Sequence, residues 1–179
     1  MEELSLHILD IAENSISAGA KNIEIKITEN KESDLLKIEI IDDGKGMSEE
    51  ERNRTLDPFF TSRTTRRVGL GLPMLYQASK LANGTMDIRS NVGKGTYVSA
   101  TFQLGHIDRQ PLGNMAQTIT ALIASNPNVD VMYEYNRNGN KFVFNTKEIK
   151  AKLASVNINT SGILSFINKF ITENTESLS

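Results

Sequence analysis

The chain has 179 residues, no cysteine, two histidines, and 20 basic against 22 acidic side chains, for a net charge of −2. These counts exclude a disulfide framework, a thiolate metal site and a thiol nucleophile, and they disfavour a histidine-rich metal centre. No apolar run reaches the ~18 residues of a membrane span, the acidic start MEELSLHILD is no secretory signal, and a duplex-coating protein would be clearly basic; the expectation is a cytoplasmic protein with neither membrane nor nucleic acid as its main partner.

Residues 2–18 place Leu4, Ile8, Ile11, Ala12 and Ile16 at near-helical spacing with a polar strip opposite, and Gly19 ends the helix. Residues 22–28 and 35–41 alternate apolar and polar, as half-buried strands do, with the polar linker ENKESD between them. Ser48 and Glu51 have capping-box spacing for a short helix. Residues 55–68 read as a loop of hydroxyl, basic and aromatic groups. A helix follows Gly71, tolerates Pro73 in its first turn and stops at Asn83-Gly84. Strands at 85–90 and 96–103 come next.

The composition shifts near Gly105. Beyond it the pattern predicts a helix over about 113–125, a hairpin, and two more helical stretches. Asn138-Gly139 suits a type I′ turn, which needs positive φ at both central positions. That turn sets Tyr135 opposite Phe142 and Tyr133 opposite Phe144, aromatic pairs that contribute ~0.2–1 kcal/mol each.

Four features carry chemistry. Asp10 and Asn14 are four apart, so they share one helix face, where they either hold a hydrated Mg²⁺ or orient an attacking group, or simply form a solvated face. Asp42-Asp43-Gly44-Lys45-Gly46 follows an apolar strand; a carboxylate there can accept from a ligand amine while the glycines allow close approach, or the segment is a plain acidic turn. Gly69-Leu70-Gly71 opens a helix after a loop containing Arg63, Arg66 and Arg67, an arrangement that favours phosphate. Gly93-Lys94-Gly95-Thr96 joins two strands and is not a P-loop; Met74 stands where a dinucleotide fingerprint would need its third glycine.

In this order and spacing the four features resemble the GHKL superfamily, which includes gyrase-type, histidine-kinase and MutL-type ATPases and shares the Bergerat ATP-binding fold. The N box resembles Asp10–Ala20, with ENSISAGAKNIEI most similar to MutL-type proteins. Asp42, Gly44 and Gly46 match the G1 box; DPFFTSR at 57–63 and GLGL at 69–72 look like the F and G2 boxes of histidine kinases; Gly93–Thr96 matches the G3 box. The resemblance covers about residues 4–104. It implies an α+β, two-layer sandwich with a mixed, mostly antiparallel sheet and helices on one face over residues 1–104. A C-terminal α/β appendage over 105–179 would pack on it or dock a partner.

The resemblance also implies roles. Asn14 would be the Mg²⁺ ligand, and Asp10 stands where MutL-type members put a glutamate base, one methylene longer. Asp42 would accept from the adenine amine, with Gly44 and Gly46 closing the backbone over the base and Thr96 helping to seat it. Gly69 and Gly71 would offer N–H groups to the phosphates, and Arg63 is the leading basic residue of the ATP lid. The chain starts at the N box, with no dimerisation or phosphoacceptor region before it; an aromatic hairpin at 130–144 would cover the sheet edge this leaves. The expectation is a free-standing, histidine-kinase-like ATP–Mg²⁺-binding protein in signal transduction or regulation, passing the γ-phosphoryl to a separate partner protein. The alternatives are an ATP-sensing switch without turnover and a MutL-like ATPase, the latter disfavoured by size, charge and the lack of a transducer domain.

Overall fold

The computed structural model describes residues 2–56 and 70–178. Helix α1 (Leu4–Ser17) buries Leu4, Ile8, Ile11, Ala12 and Ser15, the stripe its periodicity predicts. No side chain caps its start. Instead the Leu4 and Ser5 N–H groups donate to the Pro111 and Leu112 carbonyls at 2.9 and 2.8 Å, so a distant connector satisfies donors that every helix leaves orphaned.

Strands β1 (Asn22–Asn30) and β2 (Leu35–Asp42) pair antiparallel. The short helix α2 (Glu49–Arg54) is capped as its sequence predicts: the Ser48 hydroxyl accepts the Glu51 N–H at 3.1 Å. Then come α3 (Gly71–Leu81), β3 (Met86–Asn91), β4 (Gly95–Gln103), α4 (Met115–Ser125), β5 (Asp130–Arg137), β6 (Asn140–Asn145), α5 (Thr146–Leu153) and α6 (Ser161–Glu176). Among the described residues six strands form one sheet in the order β3-β4-β2-β1-β5-β6. Every pairing is antiparallel except β1 with β5.

Ile23, Ile25 and Ile27 of β1, Leu36, Ile38 and Ile40 of β2, and Val98, Ala100 and Phe102 of β4 are all buried. They join Leu75 of α3, Ile119 and Leu122 of α4, and Ile167 and Ile171 of α6 in a single core. The alternate residues carry charge: Lys26 pairs with Glu24 at 3.9 Å and Lys37 with Glu39 at 3.4 Å. Period-two alternation thus gives the sheet one apolar face, which the helices cover. This is the mixed, mostly antiparallel α+β sandwich expected from the sequence. Among the described residues no helix is long and apolar enough to cross a membrane.

The hairpin does more than rest beside the sheet. β5 runs parallel to β1 from Asn22↔Asp130 to Glu29↔Arg137, so it occupies the β1 edge. Asn138 and Gly139 have φ of 53° and 90°, and the ladder sets Tyr133 opposite Phe144 and Tyr135 opposite Phe142, as the turn spacing predicts.

Asp43 fastens the turn before β1 to the end of β2. Its carboxylate accepts the Lys21 N–H at 2.8 Å, the Asn22 N–H at 2.9 Å and the Asn22 side-chain amide at 2.8 Å. Desolvation pushes this carboxyl upward, but those donors together outweigh it and hold the pKa below the ordinary 3.8. A depressed folded-state pKa adds stability that is present above the unfolded value and lost as pH falls through the folded value. Asp43→Asn is therefore expected to lower stability near pH 7 by up to about 1 kcal/mol, since the site is exposed. The gap from wild type should close as pH falls below about 4, read from urea midpoints across pH.

Candidate nucleotide site

The site is built around the last residue of β2. Asp42 Oδ2 accepts the Ser15 hydroxyl of α1 at 2.7 Å, and Oδ1 accepts the Gly44 N–H at 2.8 Å. An ionised carboxylate has about four acceptor positions, so two remain after these bonds. Asp42 lines a pocket of about 110 Å³ whose apolar walls are Ile11 of α1, Ile40 of β2, Met47, Leu72 of α3 and Val98 of β4. Asn14, Ser15, Lys45 and Thr96 complete the lining with polar groups. A carboxylate fixed in orientation in the wall of a mostly apolar pocket suits a partly apolar ring bearing an amine.

Strand register brings Thr96 there, directly opposite Asp42. Ser90 of β3 donates to the Gly95 carbonyl at 3.0 Å, lies 2.9 Å from the Thr96 hydroxyl and accepts the Met47 N–H at 2.8 Å. With Ser90 donating to the carbonyl, Thr96 donates to Ser90 and keeps its own lone pairs. The loop after β2 is thereby tied to both strands. The Gly93 N–H adds a 2.6 Å bond to the Lys45 carbonyl.

Gly46 is needed where this loop lies on the β3–β4 turn. Its φ is +70°, and a Cβ would overlap the Asn91 carbonyl oxygen. Gly46→Ala is expected to cost about 2 kcal/mol or more, the left-handed conformation alone accounting for about 1–2 kcal/mol. Chemical denaturation measures this directly.

Asn14, Asp42, Gly46 and Thr96 therefore line one pocket, with Gly44 bonded beneath its carboxylate. Asp10 and Gly71 meet elsewhere, at the crossing of α1 and α3. A Cβ on Gly71 would lie 2.8 Å from Ile11 Cγ1, 3.0 Å from the His7 carbonyl and 3.1 Å from Asp10 Oδ2. Gly71 is buried here and lets the two helices approach closely. Arg63, Gly69, Arg66 and Arg67 lie outside the described residues. His7 is buried on α1, with Nε2 3.0 Å from Gln110 Oε1.

Sequence reasoning missed Ser15 and Ser90. Ser15 stands one turn past Ile11, so its place in the buried stripe was visible, and a hydroxyl on an apolar stripe signals a buried partner. Ser90 gave no signal, because its role arises only from strand pairing.

The chain is 29% identical over 112 residues to the "Non-motile and phage-resistance protein" of Caulobacter vibrioides, covering 58% of this chain and 13% of that protein. It is 25% identical over 112 residues to "Sensor histidine kinase ZraS" of Escherichia coli, covering 63% and 24%. Over 107 residues it is 34% identical to "Histidine protein kinase SaeS" of Staphylococcus aureus, covering 56% and 30%. It thus spans less than a third of the length of these relatives. Residues 2–106, more than half of the chain, match the family described as "Histidine kinase-, DNA gyrase B-, and HSP90-like ATPase". The chain belongs to this family and carries a histidine-kinase-like ATP-binding domain.

Proposed function

We propose that the chain binds ATP with Mg²⁺ in the Asp42 pocket and passes the γ-phosphoryl to a separate protein in a signalling or regulatory role in the cytoplasm. The observation that carries this reading is the Asp42 carboxylate, held by Ser15 and Gly44 and still able to accept from the exocyclic amine of adenine. Ile11, Ile40 and Val98 provide apolar contact for the ring faces, and the Thr96 lone pairs can bond the ring directly or through water.

Asn14, in the pocket lining, would supply one oxygen to Mg²⁺, which fits an ion that takes few protein ligands and completes its shell with phosphate oxygens and water. When bound, Mg²⁺ would neutralise charge developing on the phosphates. Gly69 and Gly71 at the start of α3 are the proposed phosphate-facing backbone, with Arg63 as a charge-assisted donor. Asp10 is the candidate base, set back at the helix crossing. Catalysis of this kind is mostly positioning and electrostatic stabilisation.

A second reading, an ATP-sensing switch without turnover, is favoured by the connector that holds the first turn of α1, the helix carrying Asn14. Incubating the chain with γ-labelled ATP and candidate partner proteins separates the two. A labelled second polypeptide, absent with Asp42→Asn, supports transfer. Nucleotide binding with no label on any protein and no phosphate release supports the switch.

A further inference from the structure

A larger cavity, of about 570 Å³, lies away from the nucleotide pocket, between β1 and β5 on one side and the 109–116 segment and the end of α6 on the other. Its size suits a small organic molecule. Part of its wall is self-satisfied. The Tyr135 hydroxyl donates to Glu29 Oε1 at 2.6 Å and accepts from Arg137 Nη2 at 2.9 Å, and Arg137 also bonds Glu29 at 3.3 Å and the Leu178 carbonyl at 3.0 Å. Glu29 and Arg137 thus cancel in charge.

Among the other described polar groups of the wall, which include Thr172, Thr175 and Glu176, several donors have no described partner. Tyr133 is 0% exposed, yet its hydroxyl is the one buried side-chain polar atom with no partner among the described residues. Such an atom costs free energy unless something fills the gap. Tyr133 lines this cavity next to Tyr135, the two rings edge to face at 6.4 Å. Burial pushes its pKa well up, so the hydroxyl keeps its proton and can donate. Arg109 bonds the Leu104 carbonyl through Nε and the Gln110 carbonyl through Nη1, which leaves Nη2 without a described partner. At the start of α4, Asn114 caps the Gln117 N–H, while the Met115 and Ala116 N–H groups have no described acceptor. Gly113, at φ +86°, turns the chain into that helix start. Among the described residues lining the wall Glu176 is the one acid outside the Glu29–Arg137 pair, and the Glu3 carboxylate packs against Gly113 beside it.

We propose that this cavity is a second ligand site that takes a small carboxylate or monophosphate on a ring or apolar body. Its anionic oxygens accept from Tyr133, Arg109 and the first N–H groups of α4, and its body packs on Leu112 and Met115. The site stands independently of the nucleotide reading.

The test is titration of the full ¹⁵N-labelled chain with phenyl phosphate, benzoate, benzamide and benzylammonium, following the Gly113, Met115 and Ala116 amides. At least one anion is expected to shift these amides saturably, the better of the two identifying the head group, while the amide and the cation do not. Tyr133→Phe is expected to weaken that anion about tenfold, with Tm unchanged or raised because an unpaired hydroxyl is removed. Arg109→Met should weaken it as well. No saturable shift from either anion up to about 10 mM, an equal response to benzylammonium, an affinity unchanged in Tyr133→Phe, or a marked fall in Tm for that variant would each overturn the proposal. The last result would mean the hydroxyl already has a structural partner.

Discussion

Asp42→Asn is expected to remove nucleotide binding while leaving the fold in place. The amide replaces one acceptor oxygen with a donor. If its NH₂ faced Gly44, two donors would oppose each other where Oδ1 now accepts at 2.8 Å. The amide will therefore keep its oxygen there and turn its NH₂ toward Ser15 and the pocket. Ser15 tolerates this, because its hydroxyl can donate instead to the Ile11 carbonyl, 3.2 Å away, and accept from the new amide. Stability should fall by less than about 1 kcal/mol. The ligand side is less forgiving, since the NH₂ now meets the exocyclic amine of adenine, donor against donor. Losing a hydrogen bond to a charged group costs about 1.5–3 kcal/mol, a weakening of roughly 10- to 150-fold, and the unpaired donors add to it. Calorimetry with the variant, beside a denaturation curve showing that it is folded, reads both effects.

A chain cut after Leu104 is expected not to fold as a stable monomer. The cut removes the parallel partner of β1 over eight residue pairs and opens a central strand as an edge. It takes away the Pro111 and Leu112 carbonyls that accept from the start of α1. It also strips Ile119, Leu122, Val131, Tyr133, Phe144, Ile167 and Ile171 from the shared core, all buried in the full chain. Each contributes about 1.5–3 kcal/mol by burial, a gross loss of about 10–20 kcal/mol, comparable with the ~5–15 kcal/mol net stability of a typical domain. Size-exclusion and thermal unfolding should show association and no cooperative transition. A monomeric fragment with a wild-type Tm would instead make residues 1–104 an independent unit.

Much of this arrangement could be read from the sequence, wherever a local rule governed the outcome. The Asn138-Gly139 turn fixed the hairpin register because positive φ at both positions leaves little freedom. Ser48 and Glu51 marked the start of α2 for a similarly local reason. Period two marked β1 and β2, since each has a single apolar face. What stayed hidden depends on contacts distant in sequence. Adjacent Asp42 and Asp43 look alike in a string, yet one faces the pocket and the other clamps Lys21 and Asn22, because successive residues at a strand end point to opposite sides. Gly71 suggested a phosphate loop from its spacing alone; that its Cβ position also falls against Ile11, at a helix crossing, is something no spacing rule predicts. The composition changes near Gly105, yet the strands beyond it complete the same sheet.

Adenine selection is expected to rest on Asp42. Guanine presents a carbonyl oxygen at the position where adenine presents its amine, so the carboxylate that favours one repels the other. Calorimetric titration of the full chain with Mg²⁺-ATP and Mg²⁺-GTP tests this most directly. The expected result is saturable binding of ATP and at least about tenfold weaker binding of GTP. Equal affinity for both, or no ATP binding at millimolar concentration, would contradict the assignment of Asp42 and of the pocket around it.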